Sequence, residues 1–507
     1  MPQVTFQPAD VTIEVAPHEN LLRAAMLAGV HINASCGGQG VCAKCRVKIA
    51  EGGVEGGLSE RLSEDDQAQG FRLACRAEVV EDVVVDVPLE SQVDSKVLNV
   101  KKGKPTIGLK RKEVGADWLK QQDLFEPYTR ILPIEMPPPD AADNRTDLDR
   151  VFKALREQHD AHQIDVDYEV TTRLPGVLRE EDFKATVVMA RPFRKDGRSR
   201  IIRVLAGRRE ENFGVAVDIG TTTVYGQLID LITGEVLSEY GEYNNQISYG
   251  EDIISRITYA IKGEGLKTLQ RKVVDNINNI ITMLIEEAGL ERSKINQLIV
   301  AGNTTMTQLF LGVDPKYIRL SPYVPAATHY PPVRATKLGL DLGQHVRVLV
   351  FPSLSSYVGG DIVSGILGAN IYREEPLTLY IDLGTNGEIV IGNKDWMVCA
   401  ACSAGPAFEG GGVEHGMRAI EGAIEDFSLN PANCEPMITT IGNAKPRGIC
   451  GSGLINTVAA MFEAGVIDNR GKFRTDLNTR RIREGDSGME YVLAWSDTTA
   501  IERDIYL

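Results

Sequence analysis

Two stretches of this 507-residue chain repeat one pattern, and their aspartates, Asp218 and Asp382, lie 164 residues apart. VAVDIGTTT runs from Val215 to Thr223, and LYIDLGTNG from Leu379 to Gly387. Each reads as an apolar strand, an aspartate, one apolar residue and a Gly-Thr turn, followed by a second strand (VYGQLID, then EIVIGN). Repetition at this distance is a duplication at domain scale, and it confines region 207–507 to an α/β body with two related halves. TGEVLSEY supplies a third strand, 251–289 reads as long helices, and LIVAG begins the next strand. The two turns share a physical job. Glycine between strands lets backbone N–H groups approach phosphate oxygens, and threonine hydroxyls add donors. A strand-end aspartate can hold magnesium, directly or through water. One Asp-x-Gly-Thr is common in ordinary hairpins; its recurrence in matched strand context points to a nucleotide gripped from both sides.

Eight cysteines fall into two groups, 36, 42, 45 and 75, then 399, 402, 434 and 450. The first group has the spacing C-x5-C-x2-C-x29-C, one residue away from the plant-type C-x4-C-x2-C. Four such thiolates can hold two irons and two sulfides, so Cys36, Cys42, Cys45 and Cys75 are the candidate ligands of a 2Fe–2S cluster. The intervening GGQGV is small because amides must fold closely around a cluster, where a Cβ would obstruct. Zinc is the competing occupant; it favours paired C-x2-C knuckles or histidine, and only His31 lies near this loop. VTFQP and VTIEV read as a hairpin, and LLRAAMLAG as a helix capped by Asn20 and ended by Gly29. VCAKCRVKI, FRLACRAEV and VVVDVP read as strands, which completes a small β-grasp pattern over residues 1–90. Cys399 and Cys402 are formally C-x2-C, but in their strand context they read as two small buried thiols.

Residues 91–125, with KKGKP and few apolar positions, read as a linker. Residues 126–206 read as a small αβ domain with a helix at LDRVFKALREQ, strands at ATVVMA and RIIRVLAG, and no evident chemistry. The net charge of −15 argues against a nucleic-acid partner, which wants a basic footprint. Charge is uneven: residues 1–90 hold seven Lys/Arg against fourteen Asp/Glu, while 91–112 hold seven basic residues and one acid. An acidic head on a basic tether suits a docking electron carrier and equally a solvated linker. No apolar run approaches the ~20 residues of a membrane span. The N-terminus has no signal-peptide pattern, so a cytoplasmic location is expected.

The head resembles ferredoxins with a CGGxGxCxxC loop. The body resembles the superfamily of acetate and sugar kinases, heat-shock chaperone ATPases and actin, with one phosphate hairpin in each half. NNQISYGEDIISRI (244–257), AGNTTM (301–306), GGDIVSGI (359–366), SAGPAFEGGGVEHGMRA (403–419) and ICGSGL (449–454) narrow the match. With the ferredoxin head, the chain resembles ATP-dependent reductive activators of corrinoid proteins over nearly its whole length. The expected fold is therefore α/β and α+β multidomain: a β-grasp 2Fe–2S head at 1–90, a linker at 91–125, a small αβ middle domain at 126–206 and an actin-like, sugar-kinase-like ATPase domain at 207–507.

The resemblance implies 2Fe–2S, ATP and Mg2+ as cofactors. It also implies a Co(II) corrinoid protein as partner, an upstream low-potential electron donor and a homodimer. Carried over by motif, Asp218 and Asp382 are the magnesium or catalytic-water candidates, with Asp361 of GGDI as a further one that also suits a helix cap. Gly220, Thr221, Thr222, Thr223, Gly384, Thr385, Asn386 and Gly387 would line the phosphates, joined by Gly451, Ser452 and Gly453. The superfamily's second Gly-rich turn, which packs against adenine, has no counterpart after ICGSGL, so the chain reads as a fragment with weak ATP affinity. Two rival functions stand beside this one: a small-molecule kinase with a redox-sensing head, and a non-enzymatic carrier that docks to a corrinoid methyltransferase system.

Overall fold

The N-terminal hairpin forms as its alternation requires. Val4 and Phe6 are fully buried while Gln3 faces out, and Gln3–Gln7 pairs antiparallel with Val11–Glu14. In this computed structural model the described residues are 1–30, 32, 40, 43–88, 91, 116–194, 196–250, 252–384, 386–403, 413–430, 433–477, 479–485 and 488–507. Gln3–Gln7 also pairs in parallel with Val83–Asp86, which puts the last strand of the head at the centre of its sheet. The order is Val11–Glu14, Gln3–Gln7, Val83–Asp86, Arg46–Glu51, Phe71–Leu73. Helix Leu21–Leu27 buries Leu21, Ala24 and Ala25 against this sheet. Asn20 accepts Arg23 N at 3.2 Å, and Gly29 follows the helix at φ +74°. Two strands are shorter than their apolar runs suggest. Ala43 takes φ +54°, so the first begins only at Arg46. A 3-10 turn at Ala74–Arg76 splits the second into Phe71–Leu73 and Ala77–Val79.

Between 126 and 206 lies a four-stranded sheet in the order Ile164–Val166, Ser199–Ala206, Lys184–Ala190, Thr129–Glu135. Two helices, Asp147–His159 and Tyr168–Glu180, bury Leu155, Leu174 and Leu178 against it. Thr146 caps the first by accepting Asp149 N at 3.1 Å. The expected linker is partly structured: Ala116–Gln121 is helical, and Lys120 donates to Thr233 O at 2.8 Å. Residues 92–115 lie outside the described residues.

The first half of the body is a six-stranded sheet ordered Val236–Tyr243, Thr223–Asp230, Phe213–Ile219, Ile295–Gly302, Arg347–Val350, Val333–Arg334. Helix Gly265–Ala288 seats Ile277, Ile280, Ile281 and Leu284 on Val215, Val217 and Leu228 in one core. The second half differs. Its described strands form three separate three-stranded sheets, one of which carries the repeated hairpin: Thr378–Leu383, Asn386–Gly392, Met397–Ser403. Leu379, Ile381 and Leu383 alternate outward on that sheet at 58, 49 and 72 % exposure, whereas Tyr380 and Asp382 face the other way. Among the described residues no helix is long and apolar enough to cross a membrane.

His345 links the middle sheet to the body through its Nε2, 3.1 Å from Ile295 O and 3.5 Å from Arg203 Nη1. Burial, and then the Arg203 guanidinium, push its pKa down to about 4. An unfolded histidine titrates near 6.5. Between these values the unfolded chain binds a proton that the native chain refuses, so stability falls as pH drops from about 6.5 to 4. Urea unfolding at pH 7 and pH 5 should show this loss in the wild type and a smaller one in His345→Gln; equal losses would remove His345 as the cause.

Candidate functional site

The first hairpin sets Ile219 opposite Val224, and its four-residue turn closes through Gly220 N to Thr223 O at 2.9 Å. A Cβ at 220 would lie 2.8 Å from Thr223 O, so glycine is required there. The second hairpin sets Leu383 opposite Gly387, and Gly384 N donates to Asn386 O at 2.9 Å. Its turn is one residue tighter. Thr385, at its centre, lies outside the described residues.

The two aspartates end equivalent strands but face different neighbours: Asp218 lies opposite Tyr225, and Asp382 opposite Glu388. Directly opposed residues share a sheet face, so Glu388 stands on the same face as Asp382. Sequence reading passed over Glu388; its signal was a charge in the otherwise apolar EIVIG. Asp361 arrives in the first turn of helix Gly360–Gly368 and accepts Ile362 N at 2.8 Å. The glycine pair before it permits a close approach, since a Cβ at 359 would fall 2.4 Å from Asn303 Cα.

Asp218, Asp361, Asp382 and Glu388 lie close enough for their charges to act on one another. Burial first, then the Asp361 and Asp382 carboxylates, push Asp218 up to about 6, although its side chain still reaches solvent on the cleft side. Burial also raises Asp361 to about 6, with Asp382 adding to the rise and the Ile362 N–H opposing it. Burial raises Asp382. Glu388 reaches about 7 through burial, then Asp361 and Asp382. Like charges gathered this way favour a bound cation or a proton. An all-oxygen donor set suits Mg2+. Among the described residues no three acidic, histidine or cysteine side chains converge into a ready metal cage, so a cation would complete its shell with water and phosphate oxygens.

Gly451, Ser452 and Gly453 open helix Gly451–Glu463, which packs on strand Ala423–Asn430. Cys450 N donates to Ile424 O at 3.1 Å, and a Cβ at 453 would sit 2.0 Å from that oxygen. Gly453 therefore has a packing cause of its own. Cys399 and Cys402 share an extended strand, opposite Val390 and Gly387. Three residues of strand span roughly 10 Å and end on opposite faces, too far for a disulfide.

On the head, Cys45 and Cys75 are buried and meet at one end of the sheet. Ala74 N donates to Cys45 O at 2.9 Å, and Asn20 Nδ2 to Cys75 O at 3.0 Å. Cys36 and Cys42 lie outside the described residues. Gly40 takes φ +76°, and a Cβ there would come 2.3 Å from Arg76 Nε. Glycine there leaves room for the Arg76 side chain beside Cys75, and four thiols are the donor set of a 2Fe–2S cluster. Lys44, next to Cys45, joins head to body: Nζ donates to Val413 O at 2.8 Å, Glu414 O at 2.6 Å and Gly416 O at 3.1 Å. Arg503 adds a 3.0 Å contact to Asp66. His415, in the same segment, packs edge-on against Tyr506, and burial holds its pKa down near 4, which fits a structural role.

Four family descriptions match along the chain. They are a 2Fe-2S iron-sulfur cluster binding domain at 4–80, the RACo linker region at 119–211, the RACo middle region at 213–374, and the C-terminal ASKHA domain of RACo at 376–507. The four-stranded unit here read as a middle domain thus falls under the family's linker region. The corrinoid activation enzyme RamQ of Eubacterium limosum is 30% identical over 475 residues, covering 93% of this chain and 72% of RamQ. A [Co(II) methylated amine-specific corrinoid protein] reductase of Methanosarcina barkeri is 23% identical, over 50% of this chain and 52% of its own. The solved structure of a reductive activator for corrinoid, iron-sulfur protein superimposes with a TM-score of 0.67 at 39% identity, covering 100% of this chain and 80% of that one. With its ferredoxin-type head, ASKHA body and these relatives, the chain belongs to the RACo family of reductive activators of corrinoid proteins.

Proposed function

We propose that this chain is an ATP-dependent reductive activator: it turns over ATP between its two phosphate hairpins and returns the Co(II) of a corrinoid protein to Co(I). The observation that carries the proposal is the Lys44 contact, which sets Lys44, the neighbour of the candidate ligand Cys45, against the unit that bears the second hairpin. Cys36, Cys42, Cys45 and Cys75 would hold a 2Fe–2S cluster, which would supply single electrons taken from an upstream low-potential donor. Plant-type clusters lie near −400 mV, and each 59 mV uphill costs about tenfold in the equilibrium constant. Nucleotide energy can offset that cost only by favouring a complex in which cobalt is easier to reduce, which requires differential binding to two states.

This chain's residues divide that work. Asp218 and Asp382 bring carboxylates to the cleft from opposite hairpins and would hold Mg2+ through oxygen, with Asp361 behind them. The turns Gly220–Thr223 and Gly384–Gly387 would offer N–H and hydroxyl donors to the phosphates. Lys44 seats the head. The family resemblance supports a homodimer as the working form.

ATP turnover should rise when a Co(II) corrinoid protein is added. Asp218→Asn and Asp382→Asn should each lower kcat by about 10²-fold or more, while the iron content of the head stays the same because its core is separate. Normal turnover in either variant would reduce that hairpin to a structural turn. Turnover indifferent to the corrinoid protein but dependent on a small hydroxylated or carboxylated acceptor would instead make the chain a kinase. Metal analysis of Cys45→Ser should show loss of both irons and of acid-labile sulfide; one zinc and no sulfide in the wild type would overturn the cluster assignment.

A further inference from the structure

NNQISYGEDIISRI and AGNTTM, which the nucleotide reading leaves without a role, converge behind the first phosphate turn. Asn244 Nδ2 donates to Gly220 O at 2.8 Å, Arg256 Nη2 donates to Thr221 O, and Asn244 N donates to Thr222 O at 2.9 Å. All three carbonyls of Gly220–Thr222 are therefore engaged from the protein side. Their partners are themselves fixed, since Asn244, Gln246 and Arg256 are fully buried. Gln246 N donates to Asn244 Oδ1 at 3.0 Å, Arg256 Nε to Gly250 O at 2.7 Å, and Gln246 Nε2 to Leu269 O at 2.9 Å. Asn303 completes the frame. Its Oδ1 accepts Met306 N at 2.9 Å as the cap of helix Thr304–Leu311, which orients the amide so that Nδ2 donates to Thr221 Oγ1 at 3.2 Å.

In a planar trans peptide the C=O and the following N–H point in opposite directions. Three carbonyls held inward therefore turn the N–H groups of Thr221, Thr222 and Thr223 outward, as a run of donors suited to an anion. Thr221 Oγ1, already accepting from Asn303, keeps its own hydrogen for the cleft. We propose that Asn244, Arg256 and Asn303 are positioning residues that hold the first turn in the form that binds the polyphosphate of a nucleotide. The proposal rests on the nucleotide reading above and gives the two unabsorbed motifs one task.

The test is a double-mutant cycle read by isothermal titration with MgATP, MgADP and inorganic tripolyphosphate. Asn303→Ser keeps a capping oxygen and drops the amide donor; Thr221→Val removes the hydroxyl it orients. Each should weaken MgATP binding about 3–10-fold, and the double variant should bind no more weakly than Thr221→Val alone. Asn244→Leu should weaken all three ligands by a common factor of about 10–100, and, because it leaves Gly220 O and Gln246 N without partners in the buried interior, it should also lower the thermal midpoint. Should Asn244→Leu fail to fold, the cycle decides alone. Additive losses in the cycle, or wild-type binding by Asn303→Ser and Asn244→Leu, would overturn the positioning role and leave the nucleotide reading intact. A wild type that binds none of the three ligands would overturn both.

Discussion

Four carboxylates, Asp218, Asp361, Asp382 and Glu388, each raised by burial and three of them also by a neighbour's charge, set the terms for the rest of the body. Their repulsion costs free energy that the surrounding fold has to carry. The two walls carry it differently. The first hairpin sits inside a six-stranded sheet over a deep core, with its turn carbonyls secured from behind. The second belongs to a three-stranded sheet with apolar residues exposed on one face. A magnesium–nucleotide complex would supply the missing positive charge and bridge both walls. The second wall, with less packing behind it, is the one expected to move.

That asymmetry matters because the second wall leads on, in sequence, to the segment that holds the head. Ser403 pairs with Asn386 of the phosphate turn, and Val413, Glu414 and Gly416, ten to thirteen residues further on, hold the Lys44 ammonium. Three carbonyls on one ammonium make a charge-assisted contact of good geometry, and Cys45, a candidate cluster ligand, is the next residue. A shift at the nucleotide therefore has a route along the chain from Ser403 to Val413 and then across the Lys44 hydrogen bonds to the head. Energetic coupling of this kind requires two arrangements that the nucleotide favours unequally.

Much of this was legible in the sequence because its signals are local. Period-2 alternation announced the head hairpin, Asn20 and Gly29 bracketed the first helix, and the repeated Asp-x-Gly-Thr marked both hairpins. What escaped depends on register or on distance. Glu388 joins the carboxylates only because the tighter second turn sets it opposite Asp382, where the first hairpin has Tyr225. The strand expected around Cys45 starts late and the run around Cys75 is split, because the backbone turns at Ala43 and at Ala74–Arg76. Lys44 reaches carbonyls some 370 residues away, which no local pattern encodes. The helix Tyr168–Glu180 contains Pro175, a residue that argues against a helix in sequence, and burial of Leu174 and Leu178 outweighs it.

The central claim is that nucleotide turnover drives an uphill electron from the head to cobalt. The most direct measurement follows the absorption of Co(I) in a corrinoid protein mixed anaerobically with this chain in its reduced form, with and without MgATP. Co(I) should accumulate only when MgATP is present, and ADP should not replace it. Equal Co(I) without nucleotide, or none with MgATP despite a reduced head, would contradict the account.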